Sequence, residues 1–511
     1  MLMKSRADPY GGNCMKLTEN HAWDEHIPTL QRARSWVLLG AALATLMSSM
    51  DTSIVNVGLP VMVSSLHTTF ASMQWVVLSY MLVVTSCIVG VGRLGDLFGK
   101  KGLYLAGLLL FTLASLGCGL MSRVEGLIAL RALQGLGAAV MMALSFALVS
   151  DVFPKERVGR AVGLLSGTVA FGIALGPALG GMLIGSVGWP AIFLVNVPFG
   201  VVAWIVIWRF LPGSSPGKMG TRFDWGGTLV LASLLACYAL AMTEAETYGF
   251  NSLVVPGLLL AALCGLGLLF LIERRVKAPL LPVALFRNAL LSGSLIMSVL
   301  VYTVMMCTIL LLPFFLEKVE HLPAQAIDIL MAVGPLITAT FSVPAGWLAD
   351  RLGTRIVMIL GLLCMVLGCL YMATITLEAD IVGFVARIAV INFGLALFQT
   401  PNNTTVMEVA QATQRGLASG LLSLARTLGL STGASLMGAV FAALVMQAAG
   451  AVPDINAAPA IAFARGIQGT FSLASIFIVA ALVLAIVIWL YLGRREAMGA
   501  EESSDFSKTD R

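Results

Sequence analysis

Fourteen stretches of this chain are each long and apolar enough to cross a bilayer. They begin near Trp36, Ser72, Gly102, Glu125, Gly159, Pro190, Phe223, Val254, Leu290, Gln325, Thr354, Ile381, Gly416 and Phe471. A hydrocarbon core of about 30 Å takes roughly 20 residues at about 1.5 Å of rise per residue. A large soluble helical core would instead carry charged outer faces. Only 11% of the 511 residues are charged, against about 25% in an ordinary soluble chain. Apolar spans must satisfy their backbone internally, so each is predicted to be an α-helix. The eight cysteines, all but Cys14, fall within spans and form no CxxC pair. They read as small packing residues rather than disulfides or metal ligands.

The basic residues orient the bundle. Of the 31 Lys and Arg, only Arg123, Lys318 and Arg465 fall in the segments on one side, and Arg131, Arg387 and Arg426 fall within spans. The rest lie on the other side, in clusters such as Arg93, Lys100 and Lys101, or Arg274, Arg275 and Lys277. By the positive-inside rule that side is cytoplasmic, and both termini lie there. The first residues are polar and mixed in charge, unlike a cleavable signal peptide. The acidic C-terminal tail, with Glu501, Glu502 and Asp505, is expected to be disordered. This distribution accounts for the net charge of +5 without nucleic acid.

The chain repeats itself. GRLGDLFGKK (Gly92–Lys101) returns as GWLADRLGTR (Gly346–Arg355), offset by 254 residues. Gly159, Ala161, Gly163, Ser166, Gly172, Gly176 and Gly181 match Gly416, Ala418, Gly420, Ser423, Gly429, Gly433 and Gly438, offset by 257. Two ordered blocks at nearly one offset imply a duplicated six-span unit with two spans inserted between the copies. Such repeats, with substrate handled between halves, mark transporters. The expected organisation is an N-terminal tail (1–35), a six-helix bundle (36–212), a two-helix insert (223–275), a second six-helix bundle (288–495) and a C-terminal tail (496–511).

Four motifs carry chemistry. In the first, Gly92, Asp96, Gly99 and Lys100 form a short turn with an acid among bases, and the second copy keeps Asp350 and Arg351. The second is Arg131-Ala-Leu-Gln134, with Arg131 roughly 10 Å deep in its span. A buried arginine is costly, so it is expected to be paired. The third, Gly172-Ile-Ala-Leu-Gly176-Pro177-Ala-Leu-Gly180, puts three glycines on one helix face, where another helix can approach closely. The fourth runs from Met50 through Asp51 and Asn56 to Pro60. With Trp189–Pro198, Phe223-Asp224-Trp225 and Phe398–Asn403, these motifs resemble the fourteen-span drug:proton antiporter branch of the major facilitator superfamily, over roughly residues 36–495. Gly58 and Pro190 depart from its pattern. The resemblance implies an all-α polytopic fold with 14 transmembrane helices (6+2+6), in a bacterial inner membrane. It implies a cytoplasmic gate at the first motif and its repeat, a proton-linked arginine at Arg131 and an antiporter role for the glycine motif.

Energy coupling by protons needs a group that can hold either a proton or a cation, and a carboxylate in a low-dielectric cavity suits. Depth singles out Asp51, roughly 22 Å from the cytoplasmic end of its span and near the depth of Arg131. Asp51 is therefore the expected proton acceptor, with Arg131 tuning it directly or through water. Asp328 is a second acid near the outer mouth, as a cation path or a helix cap. Arg387 and Arg426 are expected to face the bundle. Asn56, Gln74, Trp75, Tyr80, Gln134, Phe171, Phe315, Asn392, Gln399, Asn402 and Asn403 are candidate cavity residues.

The expected function is export of lipophilic, often cationic compounds by alternating access, driven by the proton motive force with no cofactor. Export of a single metabolite by the same fold is the alternative. No GxxxxGK[ST] loop is present for ATP, and the four histidines are scattered, so an enzyme is not expected. The partners are substrate, protons and lipid, with a periplasmic adaptor left open.

Overall fold

A computed structural model of the chain describes residues 27–213, 223–250, 252–276, 279–376, 381–450 and 458–509. The N-terminal tail through residue 26, the basic residues Lys218, Arg222 and Lys277, and the acids Glu378 and Asp380 lie outside them. The described residues are helical, without a strand. The first bundle holds α1 (Ile27–Ser65), α2 (Phe70–Phe98), α3 (Lys100–Leu120), α4 (Val124–Val152), α5 (Lys155–Ser186), a short α6 (Ala191–Leu194) and α7 (Asn196–Phe210). The insert is α8 (Trp225–Tyr248) and α9 (Val254–Glu273). After a short α10 (Val283–Phe286) come α11 (Ala289–Lys318), α12 (Ala324–Leu352), α13 (Thr354–Met372), α14 (Ile381–Val409), α15 (Arg415–Ala449) and α16 (Ala460–Thr509). Among the described residues, fourteen helical spans are long and apolar enough to cross a membrane.

Local chemistry sets several boundaries. Thr69 accepts the Ser72 N–H at the start of α2. Asp224 accepts the Gly227 N–H at 2.8 Å to cap α8, which explains the acid in its Phe-Asp-Trp motif. Gly99 (φ 100°) and Gly353 (φ 87°) make the sharp α2–α3 and α12–α13 turns in the region that favours glycine.

Two expectations about the last span are corrected. Pro459 starts α16 at Ala460 rather than near Phe471, with its carbonyl accepting the Ala462 N–H, because proline is pre-set for a helix start. Arg465, expected in an outer loop, therefore lies on α16. The C-terminal segment expected to be disordered continues α16 to Thr509. Its Ala, Glu, Lys and Arg are good helix formers.

Within the halves, α1 packs on α5, α2 on α4, α11 on α15 and α13 on α14. Between the halves, α5 runs along α12 and α2 along α15. The insert packs through α8 on α2 and α15, where Ser435 Oγ donates to the Met242 carbonyl at 2.6 Å. Its α9 turns Leu260, Leu263 and Leu266 outward, as a lipid-facing helix must.

A buried charge cluster and a gate

Asp51 sits in the middle of α1 and is fully buried. Its Oδ2 lies 2.5 Å from Nη1 of Arg131 on α4. Its Oδ1 accepts from Gln134 Nε2 at 2.9 Å and from Asn196 Nδ2, at the start of α7, at 3.0 Å. Arg131, 1% exposed, is held from other sides as well. Its Nε donates to the Val76 carbonyl at 3.0 Å, and its Nη1 reaches Gln134 Oε1 at 2.7 Å. The guanidinium lies 4.2 Å from the Tyr80 ring centre and 5.8 Å from that of Phe193. Gln134 Nε2 also donates to Ser115 Oγ at 2.7 Å. Groups from α1, α2, α4 and α7 thus hydrogen-bond within one ion-pair cluster, leaving its carboxylate three donors and no water-facing edge. A buried pair is tolerated only when its remaining hydrogen-bonding positions are filled in this way.

The glycines of the third motif position Asp51 by packing α5 on the neighbouring face of α1. A Cβ on Gly172 would stand 2.9 Å from Ser49 Cβ, and one on Gly180 would stand 2.9 Å from Ile54 Cγ1. One on Gly176 would collide with Ser53. Pro177 lies within α5 beside this seam. The second half repeats the arrangement, with Gly429 and Gly433 of α15 against Tyr302, Thr303 and Met306 of α11.

At the basic end the two repeated blocks dock crosswise. Asp96, at the end of α2, accepts the backbone N–H groups of Gly416 and Leu417 at 2.8 Å each, at the N-terminus of α15. Lys100 lies 3.6 Å from Asp96 and 2.6 Å from Asp151, and Asp151 also takes Arg415 at 2.8 Å. Asp350, at the end of α12, accepts the Gly159 N–H at 3.1 Å at the N-terminus of α5, with Arg160 at 3.6 Å. Backbones touch beside both acids: a Cβ on Gly92 would strike the Gly416 carbonyl, and one on Gly346 would strike that of Gly159. Similar approaches continue inward to Gly167 and Ala339, level with Ser166 on the wall of a cleft. Arg351, kept beside Asp350 in the repeated motif as a gate residue, makes no ion pair with it among the described residues. It turns out over the Trp347 ring, 3.9 Å from its centre, and Arg160 from the other half supplies the positive charge.

A cleft between the halves is lined by Ser166, Tyr302, Gln399, Asn403, Ser423 and Arg426, with Phe146, Val169 and Leu422. Of the residues expected to line a cavity, only Gln399 and Asn403 are among these. Gln134 and Tyr80 belong to the buried charge cluster. Phe315 is instead fully buried and stacked on Phe384 at 6.1 Å. Asn392 bonds within α14 and with Thr338, and Asn402 bonds with Ser298, so both knit helices together. Asn56, Gln74, Trp75 and Phe171 are exposed away from the cleft. Asp328 is exposed and does not cap α12, whose N-cap is Pro323. Arg387, expected to face the bundle like Arg131, donates to the Tyr371 carbonyl at 3.1 Å and lies over that ring. Sequence reasoning assigned no role to Asn196, Ser115, Asp151, Arg160 or Tyr302. Asn196 stood inside the quoted Trp189–Pro198 motif, and that was its only signal.

The family model described as Major Facilitator Superfamily matches residues 41–434 and 294–508. The chain is 31% identical to "Multidrug resistance protein Stp" of Mycobacterium tuberculosis, over 81% of this chain and 77% of that protein. It is 30% identical to "Riboflavin transporter RibZ" of Clostridioides difficile, over 80% and 88%. It is also 30% identical to the "Tetracenomycin C resistance and export protein" of Streptomyces glaucescens, over 81% and 77%. Among solved structures it resembles in fold the human organic anion transporter MFSD10, with a TM-score of 0.61 at 15% identity, over 90% of this chain and all of that one.

Proposed function

This chain belongs to the major facilitator superfamily of membrane transporters, and on that premise we propose that it is a proton-coupled drug exporter of a bacterial inner membrane. The named multidrug and tetracenomycin relatives support drug efflux. The observation that carries the coupling is the fully buried Asp51–Arg131 pair. Asp51 is the proton acceptor, and Arg131 is the counter-charge it exchanges for a proton. Protonation cancels the attraction that ties α1 to α4 and loosens the hold of Gln134 and Asn196. The freed Arg131 stays anchored on α2 through Val76 and Tyr80. That same helix ends at Asp96, roughly 20 residues or about 30 Å further on. A tilt of α2 started at the charge cluster therefore works directly on the gate with α15. With the basic end in the cytoplasm, the docked helix ends close the inner side and the cleft serves the outer side. A periplasmic adaptor, where the host has one, would meet the end opposite the basic residues.

The test is growth of a pump-deficient bacterial strain expressing the chain on a panel of lipophilic drugs, paired with transport into inside-out vesicles under an imposed proton gradient. Resistance to several compounds with gradient-driven accumulation is expected. Gradient-driven movement of one metabolite alone, without drug resistance, would establish the dedicated exporter instead.

A further inference from the structure

Of Arg131, Arg387 and Arg426, the three arginines that the sequence places deep in spans, the described residues satisfy two. Arg131 has Asp51, and Arg387 has the Tyr371 carbonyl. Arg426 has neither an ion pair nor a hydrogen bond among the described residues, although it sits roughly 16 Å along α15 and lines the cleft between the halves. A guanidinium at that depth is expensive unless something meets it. Among the described residues no aspartate or glutamate lines the cleft. Beside Arg426, Asn403 Nδ2 is taken up by Ser166 Oγ and the Ser423 hydroxyl donates to the Met142 carbonyl, so Gln399 is the neighbouring amide with a donor to spare. The Tyr302 hydroxyl already occupies Gln399 Oε1 at 2.9 Å, which leaves the Gln399 amide nitrogen toward the cleft. Phe146 and Leu422 provide apolar walls.

We propose that Arg426 is a substrate-binding residue that pairs with the anionic group of a compact aromatic anion, such as a carboxylate or sulfonate, while Gln399 donates beside it. The planar fork of arginine suits two-oxygen anions, and the aromatic body lies against Phe146 and Tyr302. This rests on the export reading above and narrows its substrate class, which the sequence resemblance described as often cationic.

The test uses two naphthalenes that differ in a permanent charge, 2-naphthalenesulfonate and 2-naphthyltrimethylammonium, with the full chain in inside-out vesicles under a proton gradient. Wild type is expected to accumulate the sulfonate in preference to the ammonium. Arg426→Gln should lower the ratio of sulfonate to ammonium transport by about tenfold or more, the factor expected for one charge-assisted contact. Arg426→Lys keeps the charge but loses the fork, so it should lower that ratio by less than Arg426→Gln does. A general folding defect lowers both rates and spares the ratio, so a ratio unmoved by Arg426→Gln would overturn the proposal. Transport of the ammonium alone by wild type would overturn it and leave the export reading intact. Movement of neither probe, together with no resistance in the drug panel, would overturn both.

Discussion

Asp96 accepts the backbone N–H of Gly416 at 2.8 Å, joining residues 320 positions apart. The acid lies within one repeated block and the glycine begins the other. Asp350 makes the reciprocal contact to Gly159. Each half thus contributes one acid and one helix N-terminus to the same end of the bundle. The positive end of a helix dipole favours the acid, by about 0.3–1 kcal/mol when exposed and up to ~2 kcal/mol when partly buried.

Asp96→Asn removes that charge and should shift the population toward a state open at the basic end, by about five- to thirty-fold for about 1–2 kcal/mol. The rate at which a membrane-impermeant thiol reagent labels a cysteine at position 423, applied from the basic side with the native cysteines replaced, reads this directly. Asp350→Asn should act in the same direction but less, because the Gly159 N–H contact of Asp350 is longer, at 3.1 Å against 2.8 Å for those of Asp96.

Gly92→Ala should abolish transport while leaving the protein in the membrane. The new Cβ would meet the Gly416 backbone, which has no side-chain freedom with which to yield. Gly181→Ala is the control, since nothing lies within 4 Å of a Cβ there. Equal transport by both variants would show that the basic end never closes in this way.

Arg131→Leu should destabilise the folded protein by about 3–5 kcal/mol, because it strands a buried carboxylate. Adding Asp51→Leu should restore most of that stability without restoring transport. Thermal unfolding of the purified variants checks the first part and vesicle transport the second. A double variant as unstable as the single one would mean that Arg131 acts through packing alone.

The helices were legible because an apolar run of bilayer length leaves the backbone one solution. The gate acids were legible because the motif recurs. Their partners were not: Asp96 with Gly416 is a contact between distant segments, and no local pattern distinguishes Arg160 from Arg351 as the base beside Asp350. Depth alone separated Asp51 from the other acids, since burying a carboxylate in a span is costly enough to be rare. Uncharged polar residues carried no such cost signal. Asn196 on Asp51, Asn402 between helices and Asn403 in the cleft look alike in sequence and differ only in which face they present.

The central claim is that Asp51 exchanges a proton for Arg131 during each export cycle. The direct measurement compares wild type with Asp51→Asn in inside-out vesicles, recording both proton-gradient-driven accumulation and gradient-free substrate exchange. Asparagine keeps the shape and the hydrogen-bonding size of the side chain but cannot take up a proton. The account predicts that uphill accumulation falls to the level of vesicles lacking the protein while exchange persists. Wild-type accumulation with intact proton coupling in Asp51→Asn would contradict it.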